Sequence, residues 1–114
     1  MSNFLIFNMV KKEYLSQVSP DKVFFLSLDV TGASKSIWSL EELLETLKEL
    51  PDDVISHHIY NGKNDFAKWI RETIGDNELA DELERIGNNR EALLSAMERR
   101  INWLKKFFAN HNHR

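Results

Sequence analysis

The sequence predicts an α+β fold, mostly helical, in which a small antiparallel β-hairpin packs against four to five helices. Three observations carry this. The run "KVFFLSLDV" is rich in strand formers and is followed by the turn signal "TGAS" and the short segment "SIW". Leucines then recur at three- and four-residue steps from Leu40 onward. Finally, Pro51, Gly62, Gly75 and Gly87 divide the rest of the chain into segments of helix length.

In chain order, residues 1–18 are the least constrained, because "NFLIFNMV" fits a strand or one buried helical turn equally well. Pro20 turns Ser19 away from helix and marks a break. Two antiparallel strands follow, over 22–30 and 35–38. In "SLEELLETLKEL", Ser39 and Glu42 have the spacing of a capping box, Leu40, Leu43, Leu44, Leu47 and Leu50 form one apolar face, and Pro51 ends the helix. "DDVISHHIY" fits a helix of about two turns, with a strand as the alternative. "NGK" breaks the chain, and Asn64 or Asp65 caps a helix with Phe66, Trp69, Ile70 and Ile74 on one face. Gly75 closes that helix, and Asp76 or Asn77 caps the next one, which points Leu79, Leu83 and Ile86 inward. A last helix, from Arg90 to Ala109, carries Leu93, Leu94, Met97, Ile101, Leu104 and Phe108 at helical spacing, and residues 110–114 are expected to fray. The 114 residues read as a single domain with no repeat or linker, long enough to bury a core.

The order "SPDKVFFLSLDVTG", "SLEELLETLKEL" and "HHIYNGKNDFAKWIRETIGDNELADELE" resembles a small archaeal and bacterial domain family of unknown function. The resemblance covers residues 19–105 and is most specific over 58–80. Its signature falls on Pro20, Gly32, Ser39, Leu40, His58, Asp65, Phe66, Trp69, Ile70, Gly75, Leu79 and Ala80. It implies a fold and brings no reaction with it.

The chemistry-bearing residues are few. There is no cysteine, which excludes disulfides and thiolate metal sites and fits a reducing cytoplasm. No nucleophile elbow and no glycine-rich phosphate loop occurs, so no catalytic residue and no cofactor is expected. The net charge of −3 is too small to steer the whole molecule to nucleic acid, and no segment is long enough for a membrane span. His57, His58 and Asp65 are the best local group, because imidazole and carboxylate suit proton transfer or metal binding. Adjacent histidines point in different directions, however, and a third metal ligand is missing. The structural reading, in which His58 fastens the start of the next helix, is favoured.

At the end of the chain, "ERRINWLKKFF" mixes cations with aromatics. Arg99, Arg100 and Lys105 read as a solvated face, while Trp103 and Phe107 lie off the main apolar stripe and suggest a second buried face. The sequence therefore points to a soluble, cytoplasmic, non-enzymatic module that binds another protein or its own copy, through His57, His58, Asn64, Asp65, Trp103 and Phe107. The alternatives are a small-ligand or metal-binding enzyme-like domain centred on His58 and Asp65, and RNA binding by the last helix.

Overall fold

The fold follows from a computed structural model that describes residues 10–29 and 31–110. The two 3₁₀ turns Lys12–Leu15 and Pro20–Lys22 lead into strands β1 (Phe24–Ser27) and β2 (Ser34–Ile37), which pair antiparallel. Then come α1 (Leu40–Glu49), α2 (Asp52–His57), the two-residue strands β3 (Ile59–Tyr60) and β4 (Lys63–Asn64), and α3 (Asp65–Trp69). Helix α3 runs straight into a π-helical turn, Ile70–Ile74, and α4 (Asn77–Ile86) and the long α5 (Arg90–Asn110) complete the described chain. The α+β, mostly helical architecture is as the sequence indicates. Residues 1–9, most of the ambiguous apolar run, lie outside the described residues, as do Val30 and 111–114.

Local signals in the sequence account for most boundaries. Ser39 Oγ accepts from Glu42 N (3.2 Å), half of a capping box, and Glu42 Oε1 accepts from Trp38 N (2.7 Å), one residue before the N-cap. Arg90 serves the other end of α1, donating to the carbonyls of Leu47 (3.2 Å) and Lys48 (2.7 Å). Asn61 and Gly62 take φ of 49° and 77°, the pair of positive values that a tight two-residue hairpin turn demands. This second hairpin, β3–β4, departs from the simple break expected at "NGK". The Asn-Gly dipeptide was the signal for it.

The core is continuous. Leu26 and Ile37 from the first hairpin and Leu40, Leu43 and Leu47 from α1 meet Phe66 and Ile70 from α3 and the π turn. Leu79 and Leu83 of α4 and Leu93, Met97, Ile101 and Leu104 of α5 close it, all nearly or wholly shielded from solvent. Among the described residues no helix is long and apolar enough to cross a membrane.

One polar interaction lies inside this packing. Asp76, at 1 % exposure, accepts from Arg100 Nε at Oδ2 and from Arg100 Nη2 at Oδ1, both at 2.8 Å. Its Oδ1 also accepts from Leu79 N (3.2 Å), so one carboxylate caps α4 and anchors α5. Burial alone would lower the Arg100 pKa. The hydrogen bonds and charge of Asp76, with Glu78 beyond, more than offset this and hold it above the ordinary arginine value. Arg100 is therefore not part of a solvated face, which corrects the sequence reading. The other two cations are exposed but engaged, Arg99 with Glu82 and Lys105 with Glu41.

Tyr14, buried against this pair, is raised above the ordinary phenol value, first by burial and then by the charge of Asp76, with Arg100 opposing. A phenol with a raised folded-state pKa keeps its proton more tightly when folded. Its stabilisation is complete below the unfolded value of about 10 and is lost as pH rises through the folded value. The stability difference between the native chain and Tyr14→Phe, measured by denaturant unfolding, should shrink as pH is raised above about 10. A difference that stays constant or grows over that range contradicts the assignment.

Candidate functional site

The β3–β4 hairpin explains where the candidate histidines fall. His58 immediately precedes β3 and Asp65 immediately follows β4, so the short turn brings them face to face at the hairpin base. Two bonds clamp that base: Asp65 N donates to His58 O (2.9 Å), and His58 Nδ1 lies 3.0 Å from Asp65 Oδ2. A carboxylate only accepts, so this geometry assigns a proton to Nδ1.

Nε2 is closed off. The His58 ring contacts Phe24 edge-on (centroids 5.9 Å apart) and Phe66 at a tilt (5.2 Å), and His58 as a whole is 5 % exposed. Phe24 in turn stacks on Trp69 (5.8 Å), whose Nε1 donates to Lys22 O (2.8 Å). Nε2 has no hydrogen-bond partner among the described residues. A general base must reach the proton it takes, and this nitrogen faces aromatic rings instead. Asp65 keeps its side chain 43 % exposed and has the solvated edge of the pair.

Asn64 is also structural. Its Oδ1 accepts from Ala67 N (3.0 Å) and caps α3, which decides between the two candidate caps, while Nδ2 donates to Leu83 O (3.4 Å) near the end of α4. His57 turns outward and lines a cleft of about 360 Å³ between the end of β1 and α2, together with Ser27, Asp29, Asp53 and Val54. His58 does not line it. The two adjacent histidines differ in burial, His58 in the aromatic core and His57 at the surface, with their rings edge-on at 5.4 Å. Among the described residues no three His, Asp or Glu side chains converge as ligands for a metal ion.

The α5 pair sits apart from this group. Trp103 and Phe107 stack nearly parallel (5.2 Å, 10°), and the Arg100 guanidinium lies 5.3 Å from the Trp103 ring. Phe107 is only 7 % exposed and packs edge-on with Phe108 within the chain, which corrects its reading as a surface anchor. Trp103 remains 40 % exposed, with its buried side braced by Arg100 and Phe107. The sequence reading missed Arg100 here. The spacing that places it one helical turn from Trp103 was available, but its burial depends on Asp76, from another helix.

A family model described as "Family of unknown function (DUF5752)" matches residues 22–110. No curated protein and no solved structure matches the chain.

The closed state of His58 has a measurable consequence. His58→Phe fills the aromatic pocket and removes the unpartnered nitrogen, leaving Asp65 solvated, and should change stability by less than about 1 kcal/mol. His58→Ala empties the pocket and should cost about 2–4 kcal/mol. Denaturant midpoints check both. Equal losses in the two variants would show that the imidazole nitrogens matter more than the packing.

Proposed function

We propose that this chain, which belongs to the family of unknown function DUF5752, is a non-enzymatic interaction module of the cytoplasm that pairs with a second copy of itself through α5. The observation that carries the reading is Trp103. It is a large aromatic, 40 % exposed, stacked on Phe107 on one side and covered by Arg100 on another. Such a side chain has little freedom left to lose on binding, and Trp and Arg dominate the energetics of protein interfaces.

A two-fold pairing presents the same surface twice, so the exposed Trp103 of each copy serves one interface. The enzyme-like reading has weaker support, because the His58–Asp65 pair is shielded where acid–base or ligand chemistry needs access. The RNA reading loses ground as well, since Arg99, Arg100 and Lys105 are each engaged by a carboxylate of the same chain.

Light scattering tests the proposal directly. At high micromolar concentration the chain should have the mass of a dimer, and Trp103→Ala should return it to a monomer with its fold intact by circular dichroism. A monomer at every concentration, or a dimer indifferent to Trp103→Ala, overturns it.

A further inference from the structure

The pairing of the first hairpin turns part of the β1 backbone outward. Leu28 N donates to Ala33 O (2.9 Å), and these residues continue the register Leu26↔Lys35 and Phe24↔Ile37. In an antiparallel ladder hydrogen-bonded and non-bonded pairs alternate, so Phe24, Leu26 and Leu28 bond to β2, and the N–H and C=O of Phe25 and Ser27 point away from it. One residue past β2, Trp38 O accepts from Val18 N (2.8 Å) and Trp38 N donates to Glu42. Among the described residues no hydrogen bond engages the outward groups of Phe25 and Ser27, and the Phe25 side chain is 66 % exposed.

This edge ends at the cleft described above, which Ser27 lines with His57, Asp29 and Asp53. Thr31 donates to Asp29 Oδ1 from its N–H (2.9 Å) and from its hydroxyl (2.6 Å), and these bonds hold the carboxyl below its ordinary value and therefore charged. Neither Asp29 nor Asp53 forms an ion pair among the described residues. Among the described residues no Lys or Arg lines the cleft. A strand edge unpaired among the described residues, leading into a cleft with two carboxylates that no described cation neutralises, matches one kind of occupant, an extended segment that carries a cation.

We propose that β1 is a strand-addition site: an extended peptide of another protein pairs with Phe25 and Ser27, packs against the Phe25 ring, and places a Lys or Arg side chain in the cleft between Asp29 and Asp53. Main-chain bonds supply the affinity and the cleft supplies the selectivity, the usual division in strand addition. The site does not depend on pairing through Trp103.

The test uses the full chain and synthetic nine-residue peptides that alternate Val and Thr with one Lys, and matched peptides with Glu in its place. Titration should bring amide-exchange protection to Phe25 and Ser27 with the Lys peptides, and the Glu peptides should bind more weakly. Asp53→Asn should weaken the Lys peptides by about twofold to fivefold, the range an exposed ion pair supports. Ser27→Pro removes an outward N–H without removing a β1–β2 bond, and should weaken both peptides by about fivefold. Trp103→Ala should leave peptide binding unchanged, which separates this site from self-association. No protection at Phe25 and Ser27, or equal binding of Lys and Glu peptides, overturns the proposal. Protection that grows with protein concentration alone also overturns it, by assigning the edge to a second copy.

Discussion

The interaction on which most of the fold depends is the buried pair between Asp76 and Arg100. Two successive helices meet there through residues 24 positions apart, and one carboxylate serves both, closing the first turn of α4 and gripping the guanidinium in a two-point fork. Such a pair is costly to bury and more costly to break, because removing one partner strands the other charge in an apolar setting. Its geometry is set by what precedes it. The π-helical turn Ile70–Ile74 ends on Gly75 at φ 92°, a conformation that glycine accepts readily, and the reversal sends Asp76 inward. The same guanidinium then braces Trp103. The surface residue with the strongest claim to binding is thus held by the interaction that fastens α4 to α5.

The second fixed point is the base of the β3–β4 hairpin. Two residues of turn, Asn61 and Gly62, suffice to set His58 opposite Asp65, and the backbone and side-chain bonds between them close the loop. Acid–base chemistry would use the same two residue types. What separates the structural use from the catalytic one is the position of Nε2, walled in by Phe24 and Phe66. Residue type alone therefore says little about a His–Asp pair. The environment of the distal nitrogen decides its use.

Much of the fold was legible in the sequence because it is written in local signals. The Ser39/Glu42 cap, the leucine stripe of α1, the strand pair around "TGAS" and the apolar face of α5 each depend on spacing within one element. The features that escaped depend on partners far along the chain. Arg100 looks solvated until Asp76 is placed beside it, and Phe107 looks like a surface anchor until the core closes around it. The π turn has no spacing signature distinct from a helix, so "DFAKWIRETI" read as one continuous element. Within the candidate site, type and proximity grouped His57, His58 and Asp65, and a hydrogen bond joins the last two. The division of labour between His57 and His58 needed the direction of each ring.

A double-mutant cycle at the central pair tests this account most directly. Asp76→Asn keeps an oxygen to cap α4 while removing the charge, and Arg100→Met keeps an apolar stem of similar reach. Each single change strands a buried charge and should cost about 3–5 kcal/mol in denaturant unfolding, whereas the double variant should cost clearly less than the sum, with a coupling of about 2 kcal/mol or more. Single losses that simply add, to within about 0.5 kcal/mol, would show that the two residues act independently and that α4 and α5 are held together by something else.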